Sequence, residues 1–146
     1  MGRAKIVSKN FVEDISDYFS ENNSLGYTLA DNFLIGEVLD VDNIDSLIGN
    51  KIDLTVYDEG GTLRVGGRFH TQERSLRFLV RDTFAQGAIN KSHDIASWIG
   101  DNRYISTTNF VSHFVSLGGF GTVVLAHESG TYFSDVVVTF LALAKG

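Results

Sequence analysis

The stretch "RSLRFLVRDTFAQGAIN", residues 74 to 90, changes its periodicity in mid-course, and that change constrains the fold more than any other feature of the chain. Leu76, Phe78 and Val80 share one side of an extended backbone while Arg77 and Arg81 share the other, the period of two that marks a strand with one buried face. From Thr83 the spacing becomes helical. Ala85, Ala88, Ile89, Ser92, Ile95, Ala96 and Ile99 fall on one helix face, and Thr83 followed by Gln86 reads as a capping box, so the pattern predicts a helix over 83–99. Gly87 is its weak point, costing roughly 1 kcal/mol relative to Ala. Gly100-Asp101-Asn102 ends it. Leu76, Phe78, Val80, Ile89, Ile95 and Ile99 are therefore the expected core of a strand–helix unit, with small alanines letting the helix lie close.

The same reasoning extends along the chain. Phe11, Ile15, Tyr18 and Phe19 follow i, i+4, i+7, i+8, which predicts an amphipathic helix over 8–22 with Ser8 as its N-cap and Glu13 and Asp14 early in it. Residues 33–40 read as a short strand, and Ile52, Leu54 and Val56 alternate with Asp53, Thr55 and Tyr57 in another, closed by Asp58-Glu59-Gly60-Gly61 as a turn signal. Residues 60–73, with four glycines, read as a long loop or an extended β-arm and so as a candidate contact element. Three further strands are expected over 109–117, 121–127 and 131–143, with "SLGGFG" and "HESG" as turns. Consecutive apolar residues after Asp135 place the last strand centrally. Helix, strands, helix, strands is the order of an α+β domain: a mostly antiparallel sheet with two helices packed on one face.

At 146 residues with 43 % hydrophobic content, one such domain spans 1–146. No apolar run approaches the ~18 to 20 residues of a bilayer crossing, and the N-terminus has no secretory h-region, so no membrane partner and no export by that route are expected. The absence of Cys excludes disulfides and thiolate metal sites. Charge is uneven: residues 1–59 carry twelve Asp/Glu against four Lys/Arg, whereas 60–105 carry four against seven. One reading is two differently solvated faces; the sharper one is that the acidic part of one copy meets the basic part of another in a head-to-tail ring.

Catalytic chemistry finds little purchase. "DVDNIDSLIGNK" opens like a calcium loop, but Ile44, Asp45 and Lys51 occupy positions that need a ligand, a glycine and a closing acid. His70, His93, His113 and His127 have no metal-ligand spacing, and "GGFGTVV" lacks the Gly-Lys-Ser/Thr ending of a phosphate loop. No catalytic residue, metal or cofactor is expected. Arg64, Arg68, Arg74, Arg77 and Arg81 form the one basic concentration. A sequence pI near 5.0 and the lack of a reading motif argue against nucleic acid and for an acidic protein surface, which the planar guanidinium suits.

The order of elements around "YDEGG", "LRFLVRD", "AQGAINKSHDIASWI" and "LGGFGTVVLAHESGTYFSDVVVTFLAL" resembles the tail terminator (minor capsid or tail completion) proteins of long-tailed bacteriophages, from about Phe11 to Leu143. The resemblance implies a non-catalytic virion protein of the tail's neck region, assembled in the host cytoplasm. Such a protein forms a homohexameric ring that caps the head-proximal end of the tail tube, ends its polymerisation and docks the neck or head-completion protein, while DNA passes through the lumen unread. On that reading the five arginines face a neighbouring subunit or the tube, and the 60–73 arm reaches across. Two alternatives stand beside it: another neck ring, a stopper or connector adaptor, and a small-ligand-binding α+β domain with Phe110, Phe114, Phe120, Tyr132 and Phe133 lining a pocket.

Overall fold

The computed structural model describes residues 10–36, 53–66, 69–107, 109–119, 123–126 and 130–144. The elements run α1 (Asn10–Asn22), β1 (Phe33–Gly36), β2 (Leu54–Gly66), β3 (Phe69–Asp82), α2 (Ala85–Asp101), β4 (Tyr104–Ser106), β5 (Phe110–Gly119), β6 (Val123–Ala126) and β7 (Thr131–Ala144). The strands form one sheet in the order β1-β2-β3-β7-β5-β4, with β6 also on β7. Among the described strands, β1 and β2 are the one parallel pair. This is an α+β domain, and both helices lie on the same face of the sheet.

That face follows from the alternation along each strand. Leu76, Phe78 and Val80 of β3, Leu54 and Val56 of β2, and Val136, Val138, Phe140 and Ala142 of β7 are buried in one cluster with Phe11, Val12, Ile15 and Phe19 of α1 and Ile95, Ala96, Trp98 and Ile99 of α2. The antiparallel register, Leu54↔Val80 and Phe78↔Val136, brings these residues side by side across three strands. Phe19 is the node of the cluster. Its ring meets Trp98 edge-on at 4.8 Å, Phe33 and Phe78 each at 5.7 Å, and Tyr27 at 5.9 Å. Of the core expected from sequence, Ile89 is only half-buried. Trp98 is buried where no such role was expected, because α2 packs against α1 as well as the sheet and so buries a wider arc than the sheet alone requires.

Four local expectations give way. Helix α2 starts two residues later than its sequence suggests, at Ala85, and Thr83 is not its cap: the Asp82 carboxylate accepts the Phe84 backbone N–H at 2.8 Å, and Gln86 donates instead to Asn90. Burial works against ionisation of Asp82, but that N–H and Lys91 outweigh it and hold the carboxyl below its ordinary range. Asp58-Glu59-Gly60-Gly61 is not a turn but a β-bulge, with Gly60 at φ +84° and the register shifting between Asp58 and Gly60, so β2 carries on. "SLGGFG" is not a hairpin turn either. Both β5 and β6 pair antiparallel with β7, through Gly119↔Val137 and then Val123↔Ser134, so they follow one another along the same side of it. Finally, the short strand β4 was not foreseen; three residues are too few to show a period. Ser8 and residues 37–40, assigned from sequence to a cap and a strand end, lie outside the described residues.

Gly87, the apparent defect of α2, has a reason. A Cβ there would stand 2.4 Å from the carboxyl of Asp82, which folds back over the first turn. Gly87→Ala should therefore displace that carboxylate from the Phe84 N–H and from Lys91, a loss that cancels the roughly 1 kcal/mol by which helix propensity favours Ala and leaves the fold no more stable. Urea unfolding of the two proteins reads the sign directly, and in an Asp82→Ala background the same substitution should turn stabilising.

Candidate interaction surface

Among the described residues no three His, Asp or Glu side chains converge on a point that could hold a metal ion. Of the aromatic residues considered as a pocket lining, Phe110, Tyr132 and Phe133 are not brought together. Tyr132 and Phe133 are successive strand residues on opposite faces of β7, and Phe110 pairs at Ala144, eleven rungs or about 35 Å along β7 from Phe133. Phe120 lies outside the described residues. What the fold offers instead is surface: a face of the sheet without helices and a hairpin that leaves the sheet.

The hairpin is formed by β2 and β3. Their ladder runs without a break from the bulge to Gly66↔Phe69, with two residues between the strands. Residues 60–66 and 69–73 are thus ladder and not loop. The pairing of β3 with β7 ends at Gln72↔Ala142 although β7 continues to Ala144, so the hairpin parts from the sheet at that level. Beyond Gln72 it is two-stranded among the described residues. Gly61 permits the close strand approach at its base, since a Cβ there would stand 1.9 Å from the Glu73 carbonyl oxygen.

The arginines are distributed very differently from a common interface. Arg74 is 8 % exposed; its guanidinium sits over the Phe11 ring at 5.3 Å and its Nη2 donates to Asp58 Oδ2 at 2.5 Å. It is a core residue, not one offered to a neighbour. Arg77 bridges three strands, donating from Nε to Glu59 on β2 and from Nη1 to Asp135 on β7. Burial alone would depress its pKa; the two carboxylates reverse that and raise it. Arg81 is half-buried near the α2 junction, where its carbonyl accepts from Lys91 Nζ at 2.7 Å. Lys91 also lies 3.2 Å from Asp82 and 3.6 Å from Asp53. Arg64 pairs through its backbone with Thr71 in the hairpin, and Arg68 lies outside the described residues. The acidic first part of the chain and the basic middle therefore meet inside one subunit, through Asp58–Arg74, Glu59–Arg77 and Asp53–Lys91, because the β2–β3 hairpin lays one beside the other. Arg74 and Arg77 are thus held by carboxylates of their own subunit.

The helix-free face changes character along its length. At one end Tyr57, Leu79 and Phe133 are buried on it, and Tyr57 rests on Gly36, where a Cβ would stand 2.2 Å from the ring. In the middle lie Arg77 with its carboxylates and the hydrogen-bonded pair Ser75–Thr139. At the other end the rungs Tyr104↔His113↔Leu141 and Ser106↔Val111↔Leu143 put an apolar strip on the surface. Tyr104 is 76 % exposed and stacks on His113 at 5.4 Å; Val111 is 42 % and Leu143 37 % exposed. This strip was missed from sequence because it depends on β4 and on the register of β5. Phe84, 73 % exposed, stands apart from it at the start of α2.

No established protein-family model matches the chain, and no curated protein sequence does.

The two ladder arginines differ in a measurable way. Arg74→Ala removes a buried guanidinium from over Phe11 and leaves Asp58 without it, and should cost about 2–3 kcal/mol, whereas Arg77→Ala, where the arginine and both carboxylates are partly exposed, should cost about 1 kcal/mol. Thermal unfolding of both variants checks the order. Arg77→Glu should cost more than Arg77→Ala, since it sets three carboxylates together, so its effect falls on the fold before it reaches any assembly.

Proposed function

We propose that the protein is a ring-forming structural component of a bacteriophage tail neck, a tail terminator, with itself, the tail tube protein and a neck protein as its partners. The observation that supports the reading most is the division of the molecule: two helices and the whole aromatic node on one face, and on the other an open sheet face with an exposed apolar strip, flanked by a hairpin that leaves the sheet. A domain with a complete core of its own has no folding need for either feature, and both are elements that bind other protein surfaces. The order of elements carries the resemblance to the terminator family. The contacts of a ring are heterologous, so the donor surface and the acceptor surface of each subunit must be different ones, as the hairpin and the body are. On this reading DNA passes through the lumen without being read, consistent with a chain of net charge −6 that would not retain phosphates.

The decisive experiment is particle mass by light scattering over a concentration series, with electron microscopy of the same samples and with tail tubes added. Six-fold open rings, free or seated on tube ends, are expected. A monomer that neither associates nor changes the length distribution of assembling tubes would refute the terminator role.

A further inference from the structure

Among the described residues four large apolar side chains are exposed, and they lie at the two ends of the sheet. Three of them, Tyr104, Val111 and Leu143, belong to the strip on the rungs Tyr104↔His113↔Leu141 and Ser106↔Val111↔Leu143. The fourth is Phe84. Neither packing nor capping accounts for it: its ring is 73 % exposed, and as the N-cap of α2 it makes no side-chain cap hydrogen bond at a position that favours Ser, Thr, Asp or Asn. Phe84 follows Asp82, which pairs with Tyr132, whereas the strip meets β7 at Leu141 and Leu143, nine residues or more further along. At about 3.3 Å per residue the knob and the strip stand about 30 Å apart, so one copy does not bring them together.

Both places also suit a chain of net charge −6, whose copies repel one another wherever carboxylates are set together. The strip's two rungs hold Tyr104, Ser106, Val111, His113, Leu141 and Leu143, with Glu73 bordering them on the β3 side. Phe84 is flanked by Thr83, Ala85 and Gln86, and the Asp82 carboxylate beside it is turned back onto the Phe84 N–H and towards Lys91. The outer side of α1, where Glu13, Asp17 and Glu21 are exposed, offers the opposite environment. The hairpin parts from the sheet at Gln72↔Ala142, between the strip's two rungs, so a copy that brings its Phe84 end to the strip also arrives beside the hairpin.

We infer that Phe84 is a knob that seats on the Tyr104–Val111–Leu143 strip of a second copy of this chain, head to tail. The inference rests on the ring reading above and names the two surfaces that meet. The occupant is a second copy because each copy carries an apolar knob at one end and an apolar, uncharged seat at the other, the two unlike surfaces that a heterologous contact joins. Area decides what such a contact can hold. An aromatic side chain covers about 150–250 Å², so one knob on the strip buries on the order of 400 Å² counting both sides, short of the ~1,000 Å² of a lasting pair. In a closed ring every copy makes the contact twice, once with its knob and once with its strip, so rings form cooperatively and free dimers are few.

Two measurements on the full chain test the contact. Phe84→Ser removes the knob and puts a favoured N-cap in its place, so the variant should unfold at an unchanged or higher temperature and yet associate at least tenfold more weakly than the unaltered protein by light scattering. The chain has no cysteine, which makes cross-linking specific. Thr83→Cys and Ser106→Cys place one thiol beside the knob and one within the strip, both at exposed positions that leave the apolar residues intact. With oxidised glutathione, the double variant should give a ladder of cross-linked copies on non-reducing electrophoresis, a mixture of the two single variants should stop at dimers, and neither single variant should cross-link alone. Ser106→Cys cross-linking with itself as readily as in the mixture overturns the contact in favour of strips paired about a two-fold axis. Rings of the double variant without cross-links, or association of Phe84→Ser at unaltered strength, overturn it and leave the ring reading intact. An unaltered protein that stays monomeric with or without tubes, together with a double variant that does not cross-link, removes contact and ring reading together.

Discussion

The edge-on contact of Phe19 with Trp98 is the interaction on which the arrangement of the molecule depends. It joins the two helices to each other, and through Phe33 and Phe78 the same ring joins them to β1 and β3. A helix pair locked in this way has to lie on one face of the sheet. The other face is then left to be closed by polar ladders, by local burial as at Tyr57 and Leu79, or not at all, as along Tyr104, Val111 and Leu143. The asymmetry between a packed face and an open one is thus a consequence of where the aromatic residues gather.

Electrostatics is organised by the same topology. The β2–β3 hairpin places the end of an acidic segment against an arginine-bearing strand, and Arg77, between Glu59 and Asp135, ties three neighbouring strands on the helix-free face. Arg74 does the equivalent on the core side, where its charge is met by Asp58 and its plane by Phe11. Pairs of this kind are better at fixing register than at adding stability, since desolvation consumes much of the attraction. Here they fix the register immediately before the bulge at Gly60, where β2 is most exposed to slipping.

The sequence makes the layers legible and conceals the joints. Alternation in 76–80 and helical spacing in 85–99 are averages over many residues, and both mark the core face correctly, Ala85 and Ile89 apart. Joints depend on single side chains. Thr83 has the sequence of a cap, yet the carboxylate that engages the backbone at this junction is that of Asp82, which accepts the Phe84 N–H and lies over Gly87, and nothing in the local pattern distinguishes the two. Gly60 and Gly61 have the composition of a turn, and only their pairing with Ser75 and Arg74 shows a bulge. The arginines illustrate the same limit. Their spacing reveals one strand face, but which carboxylates lie opposite is set by register between segments far apart in the chain, Asp58 and Asp135 among them. The exposed strip at Tyr104 is less legible still, since β4 is shorter than any period.

On the proposed ring reading the body is complete in itself, and the hairpin beyond Gln72, a two-stranded ladder of a kind that is marginal alone in water, would gain order from another copy. Residue-level hydrogen exchange on dilute and on assembled protein measures this directly. Amides of 76–80 and 134–138 should be the slowest in both states and unchanged between them, whereas those of 64–66 and 69–71 should exchange rapidly in the dilute protein and slow at least tenfold on assembly. Hairpin amides that exchange at the same rate in both states would contradict the account.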